Sequence, residues 1–254
     1  MCAVCVVLGA CAGRRLELPT DPGTPLPGFT EIHRRVTAAC AGVRTMTAEL
    51  ALSGRAGGRG MRGRAIAGFD LPGSLRLEGV APFGPPAFIL AGRDEAATLL
   101  LPRENRVLRG RPEEILGALT GVALVPADLR AILTGCVVAT PGATGGTLHA
   151  NGWASIDLPG GAILYLRRER DTWQQRAARR PGWQIEYAAW RGAFPGTVRL
   201  RSLSPAVDVD LTAAISQLET NIAIDAAAFA VTVPAGALDL TLAELRDGGP
   251  LRAQ

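Results

Sequence analysis

The run Met46-Thr47-Ala48-Glu49-Leu50-Ala51-Leu52-Ser53 decides how the chain is read. Met46, Ala48, Leu50 and Leu52 alternate with Thr47, Glu49, Ala51 and Ser53, the period of two that marks a strand buried on one face. Upstream the period is different. Phe29, Ile32, Val36, Ala39 and Val43 recur every three or four residues, which predicts an amphipathic helix over residues 29–43 with Thr30 as its cap. Downstream the period of two returns: Ala65, Ala67, Phe69 and Leu71 against Arg64, Ile66, Gly68 and Asp70, then Leu75 and Leu77 against Arg76 and Glu78, then residues 87–90 and 98–101. Glycine and proline punctuate each run, so consecutive antiparallel strands are expected.

The next stretches, PEEILGALT and PADLRAILT, predict two short helices over Pro112–Thr120 and Pro126–Thr134, each with proline in the first turn and acids behind it. Ile115, Leu116 and Leu119 share one face of the first, and Leu129, Ile132 and Leu133 one face of the second. Strands are then expected at 153–158, 162–168, 183–190, 197–203 and 207–211, with two more at 227–233 and 238–242. Strands in series with helices collected in one place give an α+β class, not alternating βαβ units. An open antiparallel sheet of ten or more strands must curl. Helices over its concave face then enclose the inward residues Leu75, Leu77, Phe88, Leu90, Ile185 and Tyr187. Period-two patterns leave it open whether these form a solid core or line an apolar cavity.

Composition limits the chemistry. The 254 residues, 48% apolar and 20% charged, are ordinary for one large folded domain. All 27 basic residues are arginine, so a Walker A loop and a lysine Schiff base are excluded. His33 and His149 are the two imidazoles, too few for a histidine-rich catalytic metal site. The sequence has no G-x-S-x-G, and nothing in it identifies a partner for His149. No catalytic residue, metal or cofactor is therefore assigned. The net charge of +4 comes from scattered arginines with 5% aromatic residues, and neither a basic stripe nor a stacking platform for nucleic acid is visible. Arg167, Arg168 and Arg170, with Arg176, Arg179 and Arg180, bracket an expected hairpin turn, either as a solvated turn or as a surface for anionic headgroups.

Ala3 to Ala10 form an apolar run with the length of a signal-peptide core, and its end leads into Leu8-Gly9-Ala10-Cys11. This resembles a bacterial lipobox, in which the peptidase cuts before a lipidated cysteine; the competing reading is a buried N-terminal strand. The resemblance implies a signal peptide over 1–10, Cys11 as the lipid attachment site, and, with Ala12 following, an outer-membrane destination. Residues 11–28 carry Pro19, Pro22, Pro25 and Pro27 and are read as the lipidated cysteine with a proline-rich tether. Cys40 and Cys136 would meet an oxidising periplasm, where a disulfide between them is one of the options.

Leu75-Arg76-Leu77, Ala81-Pro82-Phe83-Gly84, the segments around Ile115 and Leu129, and the later Gly182-Trp183-Gln184-Ile185-Glu186-Tyr187 form an ordered set. That set is similar to the LolB family, the outer-membrane receptors of the bacterial lipoprotein-localisation pathway. The resemblance implies an unclosed β half-barrel of about eleven strands, occupying residues 29–248, with short helices covering its concave face. It implies a monomer that takes acylated lipoprotein cargo from a LolA-like periplasmic carrier and releases it into outer-membrane lipid, breaking no bond. Leu75, Leu77, Phe88, Leu90, Leu116, Leu119, Leu129, Leu133, Ile185 and Tyr187 would line the acyl cavity. Pro82, Phe83 and Gly84 would match the family's membrane-insertion loop, although Phe83 folded back onto the core is the alternative. Residues 218–245 exceed the family pattern, which leaves room for a periplasmic amphiphile-binding or envelope-assembly module of the same fold.

Overall fold

The computed structural model describes residues 16–138, 142–205 and 207–251; the signal segment and Cys11 lie outside them. The chain opens with β1 (Thr24–Pro25) and α1 (Phe29–Ala41), then runs through a meander of β2 (Thr45–Ala56), β3 (Arg59–Asp70), β4 (Ser74–Val80), β5 (Phe88–Arg93), β6 (Ala96–Leu101) and β7 (Arg106–Gly110). Helices α2 (Pro112–Thr120) and α3 (Pro126–Thr134) follow. A second meander comprises β8 (Gly145–Leu148), β9 (Trp153–Leu158), β10 (Ala162–Glu169), β11 (Thr172–Arg180), β12 (Trp183–Ala188), β13 (Thr197–Ser202) and β14 (Val209–Thr220). The chain finishes with β15 (Leu238–Asp239) and α4 (Leu242–Gly248).

Among the described residues fifteen strands form one sheet, in the order β1-β8-β9-β10-β11-β12-β13-β14-β2-β3-β4-β5-β6-β7-β15. The two meanders are joined by β14 lying antiparallel to β2, with Ile215 opposite Leu50. The sheet curls without closing, its edges being β1 and β15. The count exceeds the expected eleven for a physical reason. β1 has two residues and β8 four, two of them glycine, too short to show a period, while Arg106 and Arg109 in β7, and Arg176, Arg179 and Arg180 with the inward Gln175 in β11, interrupt the apolar pattern.

One hydrophobic core fills the concave side, where the inward residues of the sheet, including Leu75, Leu90, Ile156, Leu164 and Ile185 at 0% exposure, meet Ile115 and Leu119 of α2 and Ile132 and Leu133 of α3. α2 and α3 occupy the predicted residues. Each has proline at its start, where no intrahelical N–H is lost, and a left-handed glycine at its end, Gly121 at φ 77° and Gly135 at φ 94°. Gly121 has a second constraint: a Cβ there would sit 3.0 Å from the Ala56 side chain. α1 ends at Ala41, and its cap is Gly28 in the left-handed region, so Thr30 lies inside the helix and caps nothing.

The Cys40–Cys136 disulfide is formed, joining the end of α1 to the residue after Gly135. Residues 16–28, read from sequence as a tether, lie on the domain. Leu16 and Leu18 pack on the convex face against Trp153 and Tyr165, β1 pairs with β8, and Leu26 enters the core at 6% exposure. The C-terminal region corrects two expected strands. Residues 226–229 form a turn of 3-10 helix on the convex side of β4 and β5, where Arg76 donates to the Ala228 carbonyl at 2.9 Å. Past β15 the chain becomes α4, begun by a reciprocal cap between Thr241 and Glu244, and packs on α2 with Leu245 at 1% exposure.

Candidate acyl cavity and apolar rim

Because neighbouring strands alternate in direction, the β4–β5 loop, the β6–β7 turn, the β13–β14 connection and the start of β15 all fall at one end of the sheet. The α2–α3 connection joins them, since Gly121 abuts Ala56 and Val209. This end carries an apolar rim: Val80, Phe83, Val125, Leu203, Val207 and Leu238 are all exposed there, while Ile66 and Leu148 are exposed elsewhere.

Phe83 is the most prominent. Its ring is 87% exposed, so it is not folded back onto the core. The backbone beneath it is held: Pro82 precedes it, Gly84 follows at φ 75°, and the Arg103 guanidinium donates to the Phe83 and Pro85 carbonyls. A large ring on a turn stiffened by proline and pinned by arginine is thus presented to solvent.

Under the helices, between them and β13–β14–β2, lies an apolar cavity of about 110 Å³. Leu77, Leu116, Leu129 and Leu133 of the predicted set line it, together with Leu50 and Leu211. Leu75, Phe88, Leu90, Leu119, Ile185 and Tyr187 lie in the contiguous core instead, each at 3% exposure or less. Leu52, Leu124, Leu129, Leu200 and Leu211 are only half-buried, so the cavity has an apolar mouth. A cavity of this volume is smaller than the roughly 150 Å³ that holds one benzene, so an acyl chain enters only if a helix moves.

α3 is held differently at its two ends. Its C-terminal end is bolted to α1 by the disulfide, whereas its first turn is held by an ion pair, Asp128 to Arg180 at 2.5 Å, with both side chains 20% exposed. Between them Arg130 is 6% exposed and donates one hydrogen bond, 2.8 Å to the Val43 carbonyl, while its Nε has no partner. Burial pushes the Arg130 guanidinium below its ordinary pKa, the sign that its charge is poorly solvated.

The hairpin arginines are largely committed: Arg180 to Asp128, Arg176 to Glu169, and Arg167 and Arg179 over the rings of Trp153 and Tyr165. His149 does have partners. Its Nε2 lies 2.9 Å from Ser155 Oγ, and its Nδ1 lies 3.1 Å from the Asp21 carbonyl and 3.5 Å from Asp21 Oδ2. The set has the residue types of a hydrolytic triad, held here by a buried serine and an N-terminal segment. Ser155 is 8% exposed, and the Asp21 carboxylate also receives the Ala150 N–H, so the three fasten residues 16–28 to the sheet. Sequence reading missed this because Asp21 and His149 are 128 residues apart. Among the described residues no cluster of His, Cys, Asp and Glu is arranged to hold a metal, and no helix is long and apolar enough to cross a membrane.

The curled, unclosed sheet with helices on its concave face is a LolA-like fold. A LolA superfamily protein from Nitrosomonas europaea superposes with a TM-score of 0.50 over 78% of this chain and 97% of its own, at 8% identity. A DUF1329 family protein from Desulfovibrio piger superposes with a TM-score of 0.52 over 82% of this chain and 98% of its own, at 13% identity. No family model and no curated protein matches the sequence.

Proposed function

We propose that this protein is a lipid-anchored receptor of the bacterial outer membrane that binds the acyl chains of lipoproteins in the cavity beneath α2 and α3 and helps insert them into the bilayer. The observation that carries this reading is Phe83, a ring 87% exposed on a stiffened turn at the same end of the sheet as the α2–α3 connection. An exposed aromatic ring at the same end of the sheet as Val80, Val125 and Leu238 gains free energy by entering the interface of outer-membrane lipid.

In this reading Cys11 carries the lipid anchor, and a LolA-like periplasmic carrier supplies the acylated cargo. Separation of Asp128 from Arg180 lets α3 swing about its disulfide-fixed end, hydrating Arg130 and uncovering Leu129 and Leu133. The remaining candidates, Leu75, Leu77, Phe88, Leu90, Leu116, Leu119, Ile185 and Tyr187, form the floor that the chains then cover. No bond is made or broken, so transfer is governed by the difference in burial of the chains between cavity and bilayer.

The test is an alkyl fluorophore titrated into the domain. Saturable binding that Leu129→Asp abolishes without unfolding the protein is expected; a folded wild type that takes up no alkyl probe would overturn the reading. Palmitate labelling of cells, lost in Cys11→Ala, tests the anchor.

A further inference from the structure

The end of the concave face opposite the rim holds a group of polar atoms that nothing in the fold employs. Gln175 is 2% exposed, yet neither its Nε2 nor its Oε1 has a hydrogen-bond partner. Trp190 Nε1 is likewise buried and unpartnered, and the Tyr187 hydroxyl, which makes no hydrogen bond of normal length, lies close enough to the Gln175 amide and the Arg180 guanidinium to interact with both. They are neighbours. The Tyr187 and Trp190 rings are 6.2 Å apart between centroids, and a Cβ placed on Gly135 would lie 3.4 Å from the Trp190 ring and 3.8 Å from Gln175 Oε1. Buried polar groups in folded proteins are nearly always satisfied, so several orphans in one place call for a partner outside the chain.

There is room for one. Gln175 and Trp190 line a cleft of about 260 Å³, walled by Trp173 and by Val36 and Ala39 of α1. Charges at its edge are already paired, Arg35 with Glu31 and Glu169 with Arg176. Gln175, Tyr187 and Trp190 are neutral and the nearby Arg180 is already paired with Asp128, so an ionised ligand group would lose its hydration without gaining a free counter-charge. Trp190 Nε1 and Gln175 Nε2 donate, Gln175 Oε1 accepts, and the Tyr187 hydroxyl does either. An ester has no N–H for Oε1, and an ammonium has no acceptor for the donors. A carboxamide supplies one carbonyl and one N–H.

We propose that Gln175, Tyr187 and Trp190 form a binding site for a neutral amide group. The site deepens the acyl-receptor reading, and rests on it only for the chain. Leu129 and Leu133 of α3 face the apolar cavity while Gly135, just beyond that helix, adjoins the amide site. An N-acylated head held here points its chain toward the cavity and the rim.

The experiment compares N-decanoylglycinamide with methyl decanoate, read by tryptophan fluorescence, and follows the indole N–H signal of Trp190 by NMR while N-acetylglycinamide is added. The Trp190 signal is assigned with Trp190→Phe. In the wild type the decanoyl amide is expected to bind at least tenfold more tightly than the ester, and N-acetylglycinamide to shift the Trp190 signal. Gln175→Leu should abolish the preference and the shift while keeping ester affinity. This variant replaces both orphan atoms with an apolar group and is expected to fold; Trp190→Phe, which lacks the N–H, independently lowers the amide preference. Equal affinity for amide and ester with an unmoved Trp190 signal overturns the amide site and leaves the cavity standing. A shifted Trp190 signal with no binding of either decanoyl probe supports the amide site and overturns the cavity.

Discussion

Helices α2 and α3 are each nine residues long, each begin at proline and end at a left-handed glycine, and both lie on the same face of the sheet. They are held by different forces. α2 contributes Ile115, Leu116, Ala118 and Leu119 to the core and is covered from outside by α4. α3 buries Ile132 and Leu133 but also carries Arg130, the Asp128–Arg180 pair and the disulfide beyond its end. Burial is non-directional and falls away only when the packing comes apart, whereas an ion pair can open at one point while the rest stays in place. In the proposed reading α2 is therefore the fixed half of the cover and α3 the half with a latch and a pivot.

The largest test of that contrast is the pivot. The disulfide closes a loop with a sequence separation of 96, so replacing both Cys40 and Cys136 with alanine should cost about 4 kcal/mol in urea unfolding. A loss below about 1 kcal/mol would mean that α3 is anchored by packing alone, as α2 is. Next is Ile115→Ala in α2, at 0% exposure, which should cost about 2–5 kcal/mol and leave the rate of alkyl-probe entry unchanged in the folded fraction. Asp128→Asn should cost less, about 1–3 kcal/mol, and should speed probe entry; an unchanged entry rate would remove α3 from the role of moving part.

A pH dependence sharpens the pivot further. His33, on the helix to which α3 is bolted, is 8% exposed, and burial holds its pKa below the ordinary value of 6.5. The unfolded chain takes up this proton first, so the contribution of neutral His33 is complete above pH 6.5 and is lost as pH falls toward the folded-state pKa. Stability should decline on acidification from pH 7.5 to 5 by more in wild type than in His33→Gln, with the difference measured by urea titration at each pH. The smallest expected stability effect is at the rim: Phe83→Glu should shift stability by no more than about 0.5 kcal/mol while delivery of bound cargo to liposomes falls sharply. Loss of stability and of probe capture together would place Phe83 in the structural half of the comparison.

The two helices were legible in the sequence to the residue because proline and glycine marked both ends of an apolar stripe. The strands from Met46 through Leu101 were legible because one face of each is apolar without interruption. β11 was not, and the reason is specific. Its residues are Thr-Trp-Gln-Gln-Arg-Ala-Ala-Arg-Arg, and the inward position at Gln175 is polar, so the alternation that identifies a strand breaks at the residue that carries the unpartnered amide. α4 was legible in principle, since Thr241-Leu242-Ala243-Glu244 has the spacing of a reciprocal helix cap, but Leu238, Leu240 and Leu242 drew the reading toward a strand. The cavity candidates split for another reason. Alternation assigns a residue to a face of the sheet, but whether that face meets a helix or a void depends on where α2 and α3 land.

The two edges of the sheet have a consequence for crowding. β1 and β15 are two residues long, and β1 includes Pro25, which has no amide hydrogen to donate. A fifteen-stranded sheet with long bare borders would offer every neighbouring copy a template for adding strands, and the hazard grows when molecules are concentrated in two dimensions. Stub strands at both borders leave almost no ladder to copy. A second copy that meets either border finds two residues of ladder rather than a full strand, so the sheet ends where its own chain ends it.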